Sequence, residues 1–203
     1  MGVSCPAFNR VVPSWGLAPI YVVQERGFGK CHPVLTATIF PVPQRDYILR
    51  LIEQAAQVIA RITLQREMGQ PGLAVQSVID GIEKLFGLTV SEVGSLDTEA
   101  LYGQLTEGEQ PENARDKCII FAALNHQAGL AYEERDLPAL AQPAFHLALV
   151  FTLLARVGFP GTEGPEFTPK VDDLLYRLDG FELPARTREL LETYRKASAS
   201  QQT

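Results

Sequence analysis

Residues 129–149 read GLAYEERDLPALAQPAFHLAL, and this stretch decides the fold. Small and aromatic residues stand at regular offsets on both sides of residues 136–138, which predicts two helices joined by a short turn. Pro143 lies inside the second predicted helix, where a proline removes a backbone donor and clashes with the preceding turn. The sequence therefore predicts that this helix either bends at Pro143 or begins late, near Gln142.

Helical periodicity covers most of the chain after residue 44. Apolar residues such as Ile48, Leu51 and Ala55 recur three and four positions apart, and prolines or capping residues mark helix starts. The predicted helices cover residues 45–69, 71–86, 111–135, 138–157 and 168–180, with a short helix in SLDTEALYGQL capped by Ser95 or Asp97 and a last helix from Leu183. We therefore expect an all-α domain, in which the tight MGQPG connection makes the first two helices an antiparallel hairpin.

Five residues of this stretch are small or aromatic at positions where helix packing favours such side chains. A small residue is needed where two helices cross closely, and an aromatic ring fills the gap beside the crossing. The five residues are Gly129, Tyr132, Ala141, Phe145 and Ala148. Their spacing resembles one tetratricopeptide repeat, whose pattern is W-x2-L-G-x2-Y followed by A-x3-F. Asn125 and Ala128 depart from it, because they stand where the repeat has an aromatic residue and a leucine.

That resemblance implies antiparallel helical hairpins stacked as a tetratricopeptide-like array with C-terminal capping helices. The segment RDYILRLIEQAAQVIARI, a Gly turn, a second helix and GLTVSEVGSLDTEALYGQL are also similar to a bacterial helical family with a tetratricopeptide-like arrangement. This second resemblance covers residues 45–157. It implies a fold, and it carries no activity to this chain.

The sequence changes character near residue 44. Prolines recur before that point, so residues 1–44 are predicted to be an irregular, weakly ordered extension, with a hairpin of IYVV and VLTATIF as the alternative. The abrupt start of helical periodicity also suggests a start site assigned too far upstream. Residues 45–197 are predicted to form the helical domain, and residues 198–203 a frayed tail.

Composition and charge limit the partners of the chain. The 203 residues carry a formal net charge of -6 with a pI near 5.1, which argues against a nucleic-acid-binding surface. The longest apolar stretch, residues 137–157, is interrupted by polar residues and a proline, so we expect no membrane span. No secretory signal pattern is recognised, and a cytoplasmic location is expected.

Neither the three cysteines nor the GFGK segment matches the motif of a metal or cofactor site. Cys5, Cys31 and Cys118 are odd in number and far apart, which fits neither a disulfide framework nor a zinc motif. Cys118 stands at an apolar helix position and is predicted to be a small buried side chain. The GFGK segment at residues 27–30 lacks the spacing of a phosphate-binding loop. We therefore expect no metal and no cofactor.

The candidate partner groove comes from the repeat resemblance. His126, Gln127, Leu130 and Glu133 lie on the strip of the first repeat helix that lines the concave groove in such repeats. An ordinary packing role for His126 is the alternative, since no catalytic partner accompanies it. Glu133 and Glu134 point about 100° apart and are expected to be solvated.

The repeat resemblance and the lack of a catalytic motif predict a non-catalytic protein-protein interaction or scaffold module. Its partner would be an unknown protein or peptide, or another copy of the chain, with no nucleic acid and no membrane. The alternative is a small helical ligand-binding sensor or an enzyme on the same helices. A polar, closed cavity would favour the alternative, and an open groove would favour the module.

Overall fold

The computed structural model describes residues 44–159 and 164–200. These residues belong to one unit, which spans residues 40–203. The predicted N-terminal extension, the start-site hypothesis, the GFGK segment, Cys5 and Cys31 lie outside the described residues. So do residues 201–203 of the predicted tail.

Helices make up the described part of the chain, which contains no strand. In chain order the eight helices are α1 (Gln44–Glu67), α2 (Pro71–Phe86), α3 (Val90–Ser95), α4 (Thr98–Thr106), α5 (Pro111–Glu133), α6 (Pro138–Gly158), α7 (Val171–Arg177) and α8 (Ala185–Ser200). The predicted all-α class is confirmed.

The short helix α3 is absent from the sequence prediction. The Thr89 side chain accepts a hydrogen bond from the Glu92 backbone N–H, and the Glu92 carboxylate accepts one from the Thr89 backbone N–H in return. This capping box starts α3. Ser95 therefore ends α3, and Asp97 is the residue that caps α4, with its Oδ1 2.8 Å from the Ala100 backbone nitrogen.

The C-terminal helices differ from the prediction at their ends. Thr168 takes part in a turn, since its backbone N–H and its hydroxyl both donate to the Pro165 carbonyl oxygen, and α7 begins only at Val171. The helix ends before Gly180, which has a positive φ of 77°. The last helix runs to Ser200, past the predicted boundary at residue 197.

α5 lies at the centre of the described structure. It packs against α6, α2, α1 and α4. One buried cluster joins α1, α2, α4, α5 and α6, and a second joins α6, α7 and α8. α1 and α2 pack against each other across a connection of residues 68–70.

Pro143 does not delay the start of α6. The helix begins at Pro138, in the first turn where proline is tolerated, and the Leu140 and Ala141 backbone N–H groups both donate to the Leu137 carbonyl oxygen. The predicted late start near Gln142 is therefore wrong, because this first turn is already formed before Pro143. A bend at Pro143 stays a prediction.

α6 is also the one helix in the described residues that is long and apolar enough to cross a membrane. More than half of its apolar window is buried inside the protein, and the buried side chains include Phe145, Leu149, Phe151 and Leu153. A buried apolar helix of this kind is typical of the core of a soluble domain.

Candidate functional site

The strip of α5 predicted to line a groove contacts other helices of the chain. His126 Nε2 lies 3.1 Å from Asp173 Oδ2 on α7, and the His126 ring lies 6.0 Å from the Phe145 ring on α6. Leu130 is half-buried against the cluster that joins α6, α7 and α8. Gln127 faces the other side, where its Oε1 accepts a hydrogen bond of 2.9 Å from Arg66 on α1.

The neighbouring carboxylates at the end of α5 are paired in opposite directions. Glu133 accepts a hydrogen bond from the Arg177 guanidinium on α7, whereas Glu134 pairs with Arg66 on α1 at 2.6 Å. The two side chains point to different sides of the helix and are exposed, as expected, and each also forms an ion pair that the sequence did not predict. Both pairs are partly exposed, so each stabilises the fold by about 1 kcal/mol or less.

These contacts form a polar network on both flanks of α5. On the flank towards α7 it contains His126, Glu133, Asp173 and Arg177, and the Arg177 guanidinium also lies 5.9 Å from the centre of the Phe145 ring. α7 itself packs on α6 and reaches α5 through these long side chains. Two residues of the predicted groove strip, His126 and Glu133, therefore contact the side chains of a short helix of the same chain.

Burial sets the protonation of both histidines in the described helices. Desolvation lowers the pKa of His126, and the nearby Asp173 carboxylate opposes that effect without reversing it. Burial also lowers the pKa of His146, whose Nε2 lies 2.9 Å from the Thr187 hydroxyl on α8. Both side chains therefore favour the neutral form more strongly in the folded protein than in the unfolded chain.

The protein is expected to lose stability as the pH falls through the histidine range. The unfolded histidines bind protons near pH ~6.5 and the folded ones only at lower pH, so the free energy of unfolding is highest above that value and falls below it. Urea unfolding between about pH 7.5 and pH 5.5 measures this slope. The double variant His126→Gln/His146→Gln should have a shallower slope, and a wild type that becomes more stable on acidification would contradict the prediction.

A second feature is an apolar pocket of about 310 Å³ between α2, α3, α5 and α6. Its wall includes Val78, Ile82, Leu88, Val93 and Leu147. None of the described residues that line it is charged. Pockets of this size and composition are typical of small-molecule sites.

Sequence reasoning missed this pocket, although a signal was present. Asn125, Ala128 and Pro143 all line it. The first two stand where the repeat pattern has an aromatic residue and a leucine, and the third interrupts the pattern of the second helix. These three departures from the pattern therefore lie together on the pocket wall.

The residues assigned to repeat packing lie in the cores. A Cβ added to Gly129 would lie 2.5 Å from the Phe145 ring, so α5 and α6 approach closely there. Ala141 and Ala148 are buried beside Phe145 in the second cluster, and Tyr132 packs against both clusters.

Cys118 is a buried thiol on α5. Burial raises its pKa to about 12, so its thiol stays protonated at neutral pH and is a poor nucleophile. Within the described ranges no group of three or more His, Cys, Asp or Glu residues could hold a metal ion.

Comparisons with protein-family models, curated proteins and solved structures found no match to this chain. The resemblances to the tetratricopeptide repeat and to the bacterial helical family stay predictions from the sequence. The α5 strip and the apolar pocket are the features of the described structure from which a function can be proposed.

Proposed function

We propose that this chain is a non-catalytic protein-protein interaction or scaffold module. Its hairpins would be tetratricopeptide-like, with α1–α2 and α5–α6 as the two hairpins and α7 and α8 as the capping helices. The packing of α5 on both α1 and α2, and the close approach at Gly129, support this arrangement. A cytoplasmic location, with neither nucleic acid nor membrane as partner, belongs to the same proposal.

One observation carries the proposal: side chains of the α5 strip already contact side chains of a short helix, α7. His126 and Glu133, which are seven positions apart on one helix face, contact Asp173 and Arg177, which are four positions apart on α7. A partner helix with an acidic and a basic residue at the same spacing would make the same contacts. Binding of this kind follows the helix-in-groove mode, with α7 as the competitor.

The proposal predicts opposite effects of two substitutions on partner capture. Arg177→Ala removes one of the two α7 side chains that contact the strip and leaves the strip itself intact, so the partner captured from the native host should increase. Glu133→Lys reverses the charge on the strip itself, so capture should decrease. Affinity capture followed by quantitative mass spectrometry measures both effects against the wild type.

Glu53→Lys is the matched control, because Glu53 is exposed on α1 and outside the strip. It makes the same charge change and should leave capture unchanged. If Arg177→Ala and Glu133→Lys change capture in the same direction, the strip is not the partner surface. Light scattering of the purified chain reports whether the partner is a second copy.

A further inference from the structure

We infer that the apolar pocket between α2, α3, α5 and α6 binds a small, uncharged, mostly apolar molecule that carries one hydrogen-bond donor. This site is separate from the α5 strip, and it adds a ligand-binding activity to the proposed interaction function. The inference depends on two observations that are independent of each other. One is the size and composition of the pocket. The other is that no described residue donates a hydrogen bond to the Oδ1 atom of Asn125, which lines the pocket.

The pocket fits a neutral ligand of limited size. At about 30 Å³ for each water molecule in the liquid, its volume of about 310 Å³ has room for about ten non-hydrogen atoms. The side chains on the wall are almost all apolar, and none of the described ones is charged. An ionic ligand would lose its hydration there without gaining a partner of opposite charge, so the pocket selects against it.

Asn125 supplies a hydrogen-bond acceptor in this wall. The residue is 5% exposed and lines the pocket. Within the described residues its side chain makes one hydrogen bond, which Nδ2 donates to the Phe121 carbonyl oxygen at 2.9 Å. No described residue donates a hydrogen bond to its Oδ1.

A side-chain carbonyl oxygen on a pocket wall can accept a hydrogen bond from water or from a ligand. A ligand that donates one hydrogen bond to Asn125 Oδ1 would replace the water there without leaving the oxygen unpaired.

The two small residues explain why the space exists. A tetratricopeptide pattern would place an aromatic ring at Asn125 and a leucine at Ala128. Here an amide and a methyl group stand at these positions, and the side chains of Pro143 and Leu147 form the opposite wall from α6. A larger side chain at Ala128 would therefore take up part of the pocket from α5.

Indole and indene are suitable probes for this site. They have the same size and shape, but only indole carries an N–H donor. Titration of the full chain, followed by nuclear magnetic resonance, should give saturable shifts at the methyl groups of Val78, Val93 and Leu147. Indole should bind about two- to tenfold more tightly than indene, which is the effect of one neutral hydrogen bond.

Two variants separate the pocket from the hydrogen bond. Asn125→Leu removes the acceptor and should remove the preference for indole, while both probes still bind. Ala128→Leu narrows the pocket, so that a bicyclic probe overlaps the new side chain, and should weaken both probes by at least about tenfold. If circular dichroism shows that Ala128→Leu does not fold, Ala144→Val narrows the same pocket from α6.

Three results would overturn the inference. They are the absence of saturable binding, equal affinity of the wild type for the two probes, and unchanged binding in the folded variant that narrows the pocket. The outcome is independent of the proposed interaction function, because partner capture depends on Glu133 and Arg177 and the probe titration does not.

Discussion

Replacing Phe121 with alanine is expected to lower the free energy of unfolding by about 3–5 kcal/mol. Phe121 is fully buried on α5, the helix that contacts most of the others. Its ring makes edge contacts with Phe151 at 4.7 Å and with Phe86 at 5.9 Å between ring centres. The truncation leaves a cavity bounded by helices that also pack on other neighbours, so the surroundings cannot collapse to fill it.

Urea unfolding at neutral pH measures the effect as a shift of the transition midpoint. Leu49→Ala is the control, because Leu49 lies on α1 with half of its surface exposed, and its truncation should change stability by about 0.5 kcal/mol or less. A loss for Phe121→Ala as small as that of the control would mean that the α5 core is not formed as described.

The long helices could be predicted because their signals are local. The predicted bounds of the second helix, residues 71–86, are those of α2. Pro71 suits the first turn, the buried residues recur three and four positions apart, and Gly87 ends the helix with a φ of 69°. Each of these signals lies within a few residues of the position that it determines.

The shorter elements were harder to predict because they have little periodicity. α3 has six residues, none of them buried, so it has no apolar face from which a helix could be predicted. Its one signal was the Thr89-x-x-Glu92 capping box. The start of α7 was missed because Thr168, a good capping residue, is held in a turn with Pro165.

The site depended on contacts between distant parts of the sequence. Spacing on α5 placed His126, Leu130 and Glu133 on one strip, but it could not show that Asp173, 47 positions later, would reach His126. Residues of four helices line the apolar pocket. Its only signal in the sequence was the departure of Asn125 and Ala128 from the repeat pattern. Such contacts follow from helix packing, which sequence periodicity alone does not determine.

Gly129→Ala is expected to destabilise the protein, although alanine is the better helix former. The added Cβ would lie 2.5, 2.6 and 2.8 Å from three atoms of the Phe145 ring, closer than carbon atoms can approach. The ring is fully buried, so it cannot turn aside without displacing its neighbours. Overpacking costs about 1–3 kcal/mol, and the gain in helix propensity offsets only about 1 kcal/mol of it.

Replacing Gly103 with alanine should have the opposite effect on the free energy of unfolding. Gly103 is an exposed residue of α4, and a Cβ there would meet nothing within 4 Å, so Gly103→Ala should stabilise the protein by up to about 1 kcal/mol.

In the double variant Gly129→Ala/Phe145→Leu, the ring that opposes the new methyl group is absent. Its loss of stability in urea unfolding should therefore be smaller than the sum of the two single losses, by about 0.5–3 kcal/mol. Additive losses, or a Gly129→Ala variant as stable as Gly103→Ala, would contradict the close approach of α5 and α6, because contact with the ring is the only reason for the two glycines to differ in sign.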